Sequence, residues 1–495
     1  MLCNARQVDP VPRAPRAPTE ERADAMQSPS PEAGRCANGP KPKCITIQEV
    51  TNLLRTMELP TPPLLDEHHP ALFLNMYFVP LHSLFDQPPI PCALSLLQHV
   101  LVLGFTTKSS PLRMLGIAPM LSFLYLALRA SEAHRDTTHQ LFLIMSMGST
   151  ASIVFQYIDS ALLSRWTYSA RGPTSALGGQ KNLQKNESHI PPGALTSKLV
   201  FGWEEAFRAR SASSPWEVPN VPKFYPADKR PDRLPTKAQF LRYAALRCLA
   251  SFCVVDMIGW MGRDTSMNAV HFASERIPLF ARWQDSTGEE LILRLVCSVL
   301  HWLVAFCVLQ GLYYGAAIVV VGILGWGRIE RWPPLFNRMT HCWSVRRFWG
   351  YFWHQGTRQK FFAPAHLITF EALKIRHGTL LARYTVLLLT FVISGLFHQL
   401  ADVAAGVPWW EARAVPFFAM QAVGILLEDT VQGVYRWISG RKRTDARPSG
   451  WKLWFGSCWV LVWLFWTTPL WAYPIMQRAS GEPIIPFSVV RQFLK

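Results

Sequence analysis

Apolar residues along this chain gather in long blocks, not in the narrow stripes of surface helices. The blocks run at about 71–85, 92–107, 111–128, 139–163, 240–260, 291–327, 379–400, 413–435 and 453–475. A helix of about 20 apolar residues crosses a hydrocarbon core. The blocks from 139, 240, 379, 413 and 453 meet that length. The first three are short and suit tilted, paired or interfacial helices. The 291–327 block exceeds one span, and Gly311 and Gly315 offer a break, so it reads as two helices or one long tilted one. Only helices and closed barrels satisfy the backbone in lipid, and these run lengths indicate helices. The pattern predicts an all-α polytopic membrane protein with about eight to ten transmembrane helices.

Polar stretches divide the chain further. Residues 1–43 are rich in Pro, Arg and Ala, with no apolar centre, and read as a disordered tail, not a cleavable signal. Residues 44–163 form the N-terminal membrane helices. Residues 164–239 are basic, with prolines at 215, 219, 222, 226, 231 and 235, and read as an extended cytoplasmic loop. Asn186-Glu187-Ser188 there is a glycosylation sequon expected to stay unmodified. Residues 240–475 read as the membrane core, and 476–495 as a C-terminal tail. Within the core, residues 328–378 combine aromatic and basic side chains: Trp343, Phe348, Trp349, Tyr351, Phe352 and Trp353 beside Arg346, Arg347, Arg358 and Lys360. A solvated loop has no use for so many rings, whereas a re-entrant or interfacial segment does.

Composition narrows the function classes. Charged residues are 17% of the 495, and the net charge is +17 from 50 basic and 33 acidic residues. The basic residues lie mostly between apolar blocks, as the cytoplasmic bias of Lys and Arg requires, so no nucleic-acid partner is inferred. The partner surface is the lipid bilayer, and the pattern specifies no oligomeric state. The ten cysteines show no CxxC and no zinc spacing, so neither metal nor disulfide framework is expected.

Ionisable groups at membrane depth are costly and invite functional readings. Asp159, Asp256, His398, Asp402 and the pair Glu428-Asp429 stand out. The acids also fit structural roles: Asp159 and Asp256 near helix ends, Glu428 and Asp429 paired with Arg436. His398 lies deep in Thr390-Phe391-Val392-Ile393-Ser394-Gly395-Leu396-Phe397-His398. Asp402 follows one turn later on the same helical face, where a carboxylate can hold one ring nitrogen. A buried histidine bonded to a neighbouring helix fits the same pattern.

The run Ser344-Val345-Arg346-Arg347-Phe348-Trp349-Gly350-Tyr351-Phe352-Trp353-His354-Gln355 resembles a signature of the membrane-bound O-acyltransferase superfamily, in its wax-synthase-like branch. Ser394-Gly395-Leu396-Phe397-His398 resembles that family's second signature, and the two histidines stand 44 residues apart. Gly424-Ile425-Leu426-Leu427-Glu428-Asp429 is similar to a stretch of fungal members, as is the Trp203, Arg208, Arg210, Trp216 region. The resemblance spans roughly residues 195–475. Tyr351 and Phe352 stand where family members often carry basic residues, which weakens a phosphate contact there.

The resemblance implies transfer of an acyl group from a thioester to an alcohol. His398 would be the general base, kept uncharged by its apolar surroundings. His354, or the amide of Gln355, would donate to the substrate or developing oxyanion. Trp353, Gln355 and Asp402 would support the site. Arg346, Arg347, Arg358 and Lys360 would meet the phosphates of an acyl-CoA cosubstrate, most simply acetyl-CoA. No covalent intermediate is needed: a Gly-x-Ser-x-Gly elbow is missing, and Ser394 and Cys342 read as structural. The fungal resemblance points to acetylation of a hydrophobic terpenoid or meroterpenoid alcohol in secondary-metabolite biosynthesis, at the endoplasmic reticulum membrane. A wax- or sterol-ester synthase using long-chain acyl-CoA is the alternative within the family. A membrane transporter is the alternative from another class, although no pair of related halves is evident.

Overall fold

Hydroxyl caps start the long helices. Thr236 accepts from the amide of Gln239 while the Gln239 side chain returns to the Thr236 amide, opening one helix. Thr287 and Thr379 accept in the same way from the amides of Glu290 and Ala382. Past these caps the sequence is apolar enough that, in lipid, the helix is the only backbone state that satisfies itself.

The computed structural model describes residues 86–184, 194–225, 233–440 and 450–493. The main helices are α1 (Pro89–Phe105), α2 (Ile117–Ala133), α3 (Gln140–Tyr157), α4 (Leu195–Ala206), α5 (Lys237–Met261), α6 (Gly288–Ala317), α7 (Arg358–Leu367), α8 (Leu380–Ala404), α9 (Ala414–Ser439) and α10 (Gly450–Met476). No strand is formed among the described residues. Seven helices there are long and apolar enough to cross a membrane: Leu112–Ala133, Gln140–Leu163, α5, Gly288–Ile323, α8, α9 and α10. α1 is a shorter apolar helix. The 291–327 block is one helix after all, since Gly311 and Gly315 lie within the 36-residue run Gly288–Ile323. The apolar block at 71–85, the 1–43 tail and the sequon at 186–188 lie outside the described residues.

The 164–239 stretch departs from the extended loop expected of it. It contains α4, which packs against α1 and buries Phe201 and Glu205. No proline lies within this helix, and the six from 215 to 235 all follow it, so none forbids it. The C-terminal segment is also tied down, because Asp256 of α5 accepts from the amides of Val489 and Val490 at 2.9 and 3.0 Å.

α8 packs on α3, α7 and α9. Small residues set the spacing, as they do where lipid supplies no hydrophobic force between helices. A Cβ placed on Gly395 of α8 would lie 2.6 Å from Cα of Val415 in α9. One on Gly424 of α9 would meet the Trp463 ring of α10 at 2.6 Å.

The aromatic-basic segment fills the middle of this bundle. Short turns at Met339–His341 and Val345–Arg347 lead into a widened turn, Phe348–Phe352, and then α7. Its side chains are buried in protein: Val345, Phe348, Trp349, Phe352 and Trp353 form one core with Phe391 of α8, Phe417 and Phe418 of α9 and Trp463 of α10. Gln421 is buried beside them; its oxygen accepts from the indoles of Trp349 and Trp463 at 3.2 and 3.1 Å, and its nitrogen donates to Thr467. Glu428 accepts from the backbone amides of Val345 and Arg346 and from Trp459 at 2.9 Å.

Gly395→Ala is expected to push α8 off α9. Its added methyl meets backbone, which cannot rotate away, so thermal unfolding in detergent should show a loss of about 1–3 kcal/mol, the usual range for overpacking.

Candidate active site

Four elements bring the chemistry together. α8 carries His398, whose Nδ1 lies 2.7 Å from the carbonyl of Ser394 one turn earlier. A carbonyl only accepts, so the proton sits on Nδ1, and Nε2 presents a lone pair. The ring is half-buried and stacked on Phe418 of α9, with centroids 4.5 Å apart. Trp471 of α10 stands edge-on at 5.2 Å.

Asp402 does not hold His398 as the sequence suggested. Both its oxygens accept from Trp471 Nε1, at 3.2 and 3.0 Å. Asp402 lies one turn after His398, but the Ser394 carbonyl one turn before it takes the Nδ1 bond. Asp402 is therefore bonded to the indole that stands edge-on to His398, not to His398 itself.

His354 leaves the widened turn with its ring against Trp353 and Phe336, at 5.7 and 6.1 Å. Among the described residues neither of its ring nitrogens makes a hydrogen bond. Burial pushes its imidazolium down to about 3, and His398 and Arg210 add repulsion, so the ring is neutral and lies within electrostatic reach of His398. A ladder of rings links the two histidines: His398 to Trp471, Trp471 to Trp302 at 6.3 Å, and Trp302 to Trp353 at 5.0 Å.

Gln355 is not poised to donate to a substrate. Its amide nitrogen donates to the carbonyls of Trp349 and Trp353 at 3.1 and 2.6 Å, and its oxygen accepts from Arg358. A buried turn must satisfy its carbonyls, and Gln355 is the group that does so. Trp353 is likewise a buried wall of the site.

The four basic residues do not form one open mouth. Arg358 donates to the Pro219 carbonyl and Lys360 to Ser152 Oγ at 2.7 Å, and both are buried. Cations carried inward on a packed helix must find acceptors there, and these have. Arg346 pairs with Asp429, which also accepts from Arg383 and Tyr384 at 3.1 and 2.8 Å. Arg347 lies over Trp343, 3.9 Å from the ring centre, and donates to the His341 carbonyl. Glu428 and Asp429 thus serve this segment and not Arg436. Asp159 accepts from Ser164 at 2.7 Å. Among the described residues no cluster of three or more His, Cys, Asp or Glu side chains is arranged to hold a metal ion.

Sequence reasoning passed over Phe418, Trp471, Trp302 and His301. The aromatics are indistinguishable from packing residues in an apolar run. His301 had a usable signal, an ionisable group inside a long apolar block.

The chain matches the membrane bound O-acyl transferase family over residues 332–420. It is similar to Acetyltransferase aurG of Calcarisporium arbuscula, 35% identical over 387 residues, 76% of this chain and 90% of that protein. It is also similar to Acetyltransferase fsoF of Humicola fuscoatra, 35% identical over 411 residues, 78% of this chain and 96% of that protein. Acetyltransferase atnC of Arthrinium is 27% identical over 393 residues, 78% of this chain and 86% of that protein. No solved structure matches the chain.

Trp471→Phe keeps a ring beside His398 and removes the indole N–H that donates to both oxygens of Asp402. Left unsatisfied, the buried carboxyl should lower stability by about 1–3 kcal/mol. A double-mutant cycle with Asp402→Asn in thermal unfolding checks this, with a clear coupling expected.

Proposed function

The chain belongs to the membrane bound O-acyl transferase family and is an integral-membrane, acyl-CoA-dependent O-acyltransferase; on that premise we propose that it acetylates a hydroxyl of a hydrophobic terpenoid or meroterpenoid alcohol. The observation that carries the site assignment is the protonated Nδ1 of His398 on the Ser394 carbonyl, which leaves Nε2 as an uncommitted proton acceptor. Acetyl as the acyl group is supported by the names of the relatives. A polycyclic alcohol is supported by the flat aromatic walls of Trp302, Trp353, Phe418 and Trp471 around the two histidines. A place in secondary-metabolite biosynthesis, at the endoplasmic reticulum membrane, belongs to the same reading.

The acceptor hydroxyl attacks the thioester carbonyl carbon as its proton passes to Nε2 of His398. Charge develops on the carbonyl oxygen, and a ring N–H of neutral His354 donates to it. The carbon–sulfur bond then breaks. The departing thiolate takes the proton back from His398, which releases the ester and free coenzyme A and returns both rings to their starting state. Trp471, held by Asp402, keeps the His398 ring at its working angle. Arg346 and Arg347, the half-buried pair just before His354, are the residues assigned to the cosubstrate's phosphates.

His398→Ala should give folded protein whose transfer rate is reduced by about 10²–10⁴-fold, the span of general-base contributions. His354→Ala should also cut turnover, whereas His354→Asn keeps part of it because an amide still donates. Thiol release from membranes supplied with acetyl-CoA and a panel of sterol, terpenoid and fatty alcohols measures both. Parent rates in the two alanine variants would dismiss the site. Faster turnover with long-chain acyl-CoA would instead select the wax- or sterol-ester reading.

A further inference from the structure

His301 has no task in the mechanism above, yet it stands beside the proposed base. It sits on α6, in an otherwise apolar stretch, with its ring 5.0 Å from Trp471 and 5.7 Å from Trp302. Trp471 therefore contacts two imidazoles, those of His398 and His301. The two histidines lie within electrostatic reach of each other. The Nε2 of His301 is enclosed and makes no hydrogen bond among the described residues. Buried polar atoms are nearly always paired, and one left without a protein partner beside the proposed base is open to a hydrogen bond from substrate. A phenyl ring would pack on Trp471 and Trp302 equally well without leaving a nitrogen unmet. Asp402, the nearby acid, is already committed to Trp471.

We propose that His301 is an acceptor-binding residue: its Nε2 hydrogen-bonds the alcohol oxygen that His398 deprotonates. His354, to which the mechanism above assigns the thioester oxygen, lies across Trp302 and Trp353, so the two imidazoles that contact Trp471 are assigned the alcohol's side of the site. The alcohol is then gripped at one oxygen by two groups. His398 takes its proton, and His301 fixes its direction toward the carbonyl carbon. This selects compounds whose hydroxyl projects from a rigid apolar body, since a floppy chain has more freedom to lose on being held by two points. The inference rests on the acyltransferase mechanism proposed above.

The test uses full-length protein in lipid nanodiscs with acetyl-CoA and whichever panel alcohol the parent acetylates fastest. His301→Phe preserves the ring and removes the polar atom, while His301→Gln preserves a polar group. His301→Phe should lower kcat/KM for the alcohol by about tenfold or more while KM for acetyl-CoA stays within about twofold. His301→Gln should recover most of the loss. If His301→Phe does not fold, the isosteric pair His301→Leu and His301→Asn provides the same contrast. Parent kcat/KM in the apolar variant, or equal losses in the apolar and amide variants, overturns the assignment. His398→Ala runs alongside: if it is inactive while the apolar His301 variant is unimpaired, only the His301 inference falls, whereas parent activity in His398→Ala removes the mechanism beneath it.

Discussion

Two adjacent carboxylates on α9 hold the aromatic-basic segment in place, and the site depends on them. Glu428 receives the amides of Val345 and Arg346 and the indole of Trp459. Asp429 gathers Arg346, Arg383 and Tyr384. Non-helical backbone inside a membrane bundle is tolerable only if its polar groups find partners in the protein. The Glu428 carboxylate satisfies the N-terminal amides of the turn, as an acid at a helix start does. From that anchor the chain runs through Phe348–Phe352 to His354, with Gln355 closing the carbonyls behind it. The anchor works together with the buried rings of the segment and the Trp349–Gln421 bond to set how deep the His354 ring enters the bundle.

The same logic governs the other histidine. In a low-dielectric interior an acceptor and a donor that meet stay together, because separation leaves each unpaired. His398 satisfies Nδ1 on its own helix and so has Nε2 to spare. Asp402 satisfies itself on Trp471, and so fixes a ring that touches His398, His301 and Phe418 at once. One indole thus couples α8, α9, α6 and α10. Gly395 makes this geometry reachable by letting α9 approach the helix that carries His398.

Residue type and order alone carry a good deal of this. Long apolar blocks specify membrane helices because an unsatisfied backbone in lipid has no other remedy. Thr390 to His398 marks a histidine at depth, and the Trp353-His354 run marks a second one among dense aromatics, because ionisable groups are costly there. Those features are local in the chain, so they are legible without a fold. The helix α4 was hidden by the six prolines from 215 to 235, and of the two readings of 291–327 the fold selects the single long helix, whose two glycines lipid tolerates.

What only the tertiary structure decided are the pairings. Periodicity places Asp402 on the face of His398, yet it cannot say that an indole 69 residues further on takes the carboxylate. It counts Arg358 and Lys360 as cations without revealing that Pro219 and Ser152 occupy them. It shows His301 as one more polar residue, not as the second imidazole on Trp471. The chain by itself determined a helical membrane protein of this family with two histidines at its centre. The bond that leaves Nε2 of His398 free lies within one helix, but the partners of Asp402, Arg358 and Lys360 were decided by long-range packing, since a hydrogen bond forms with whatever the fold brings within about 3 Å.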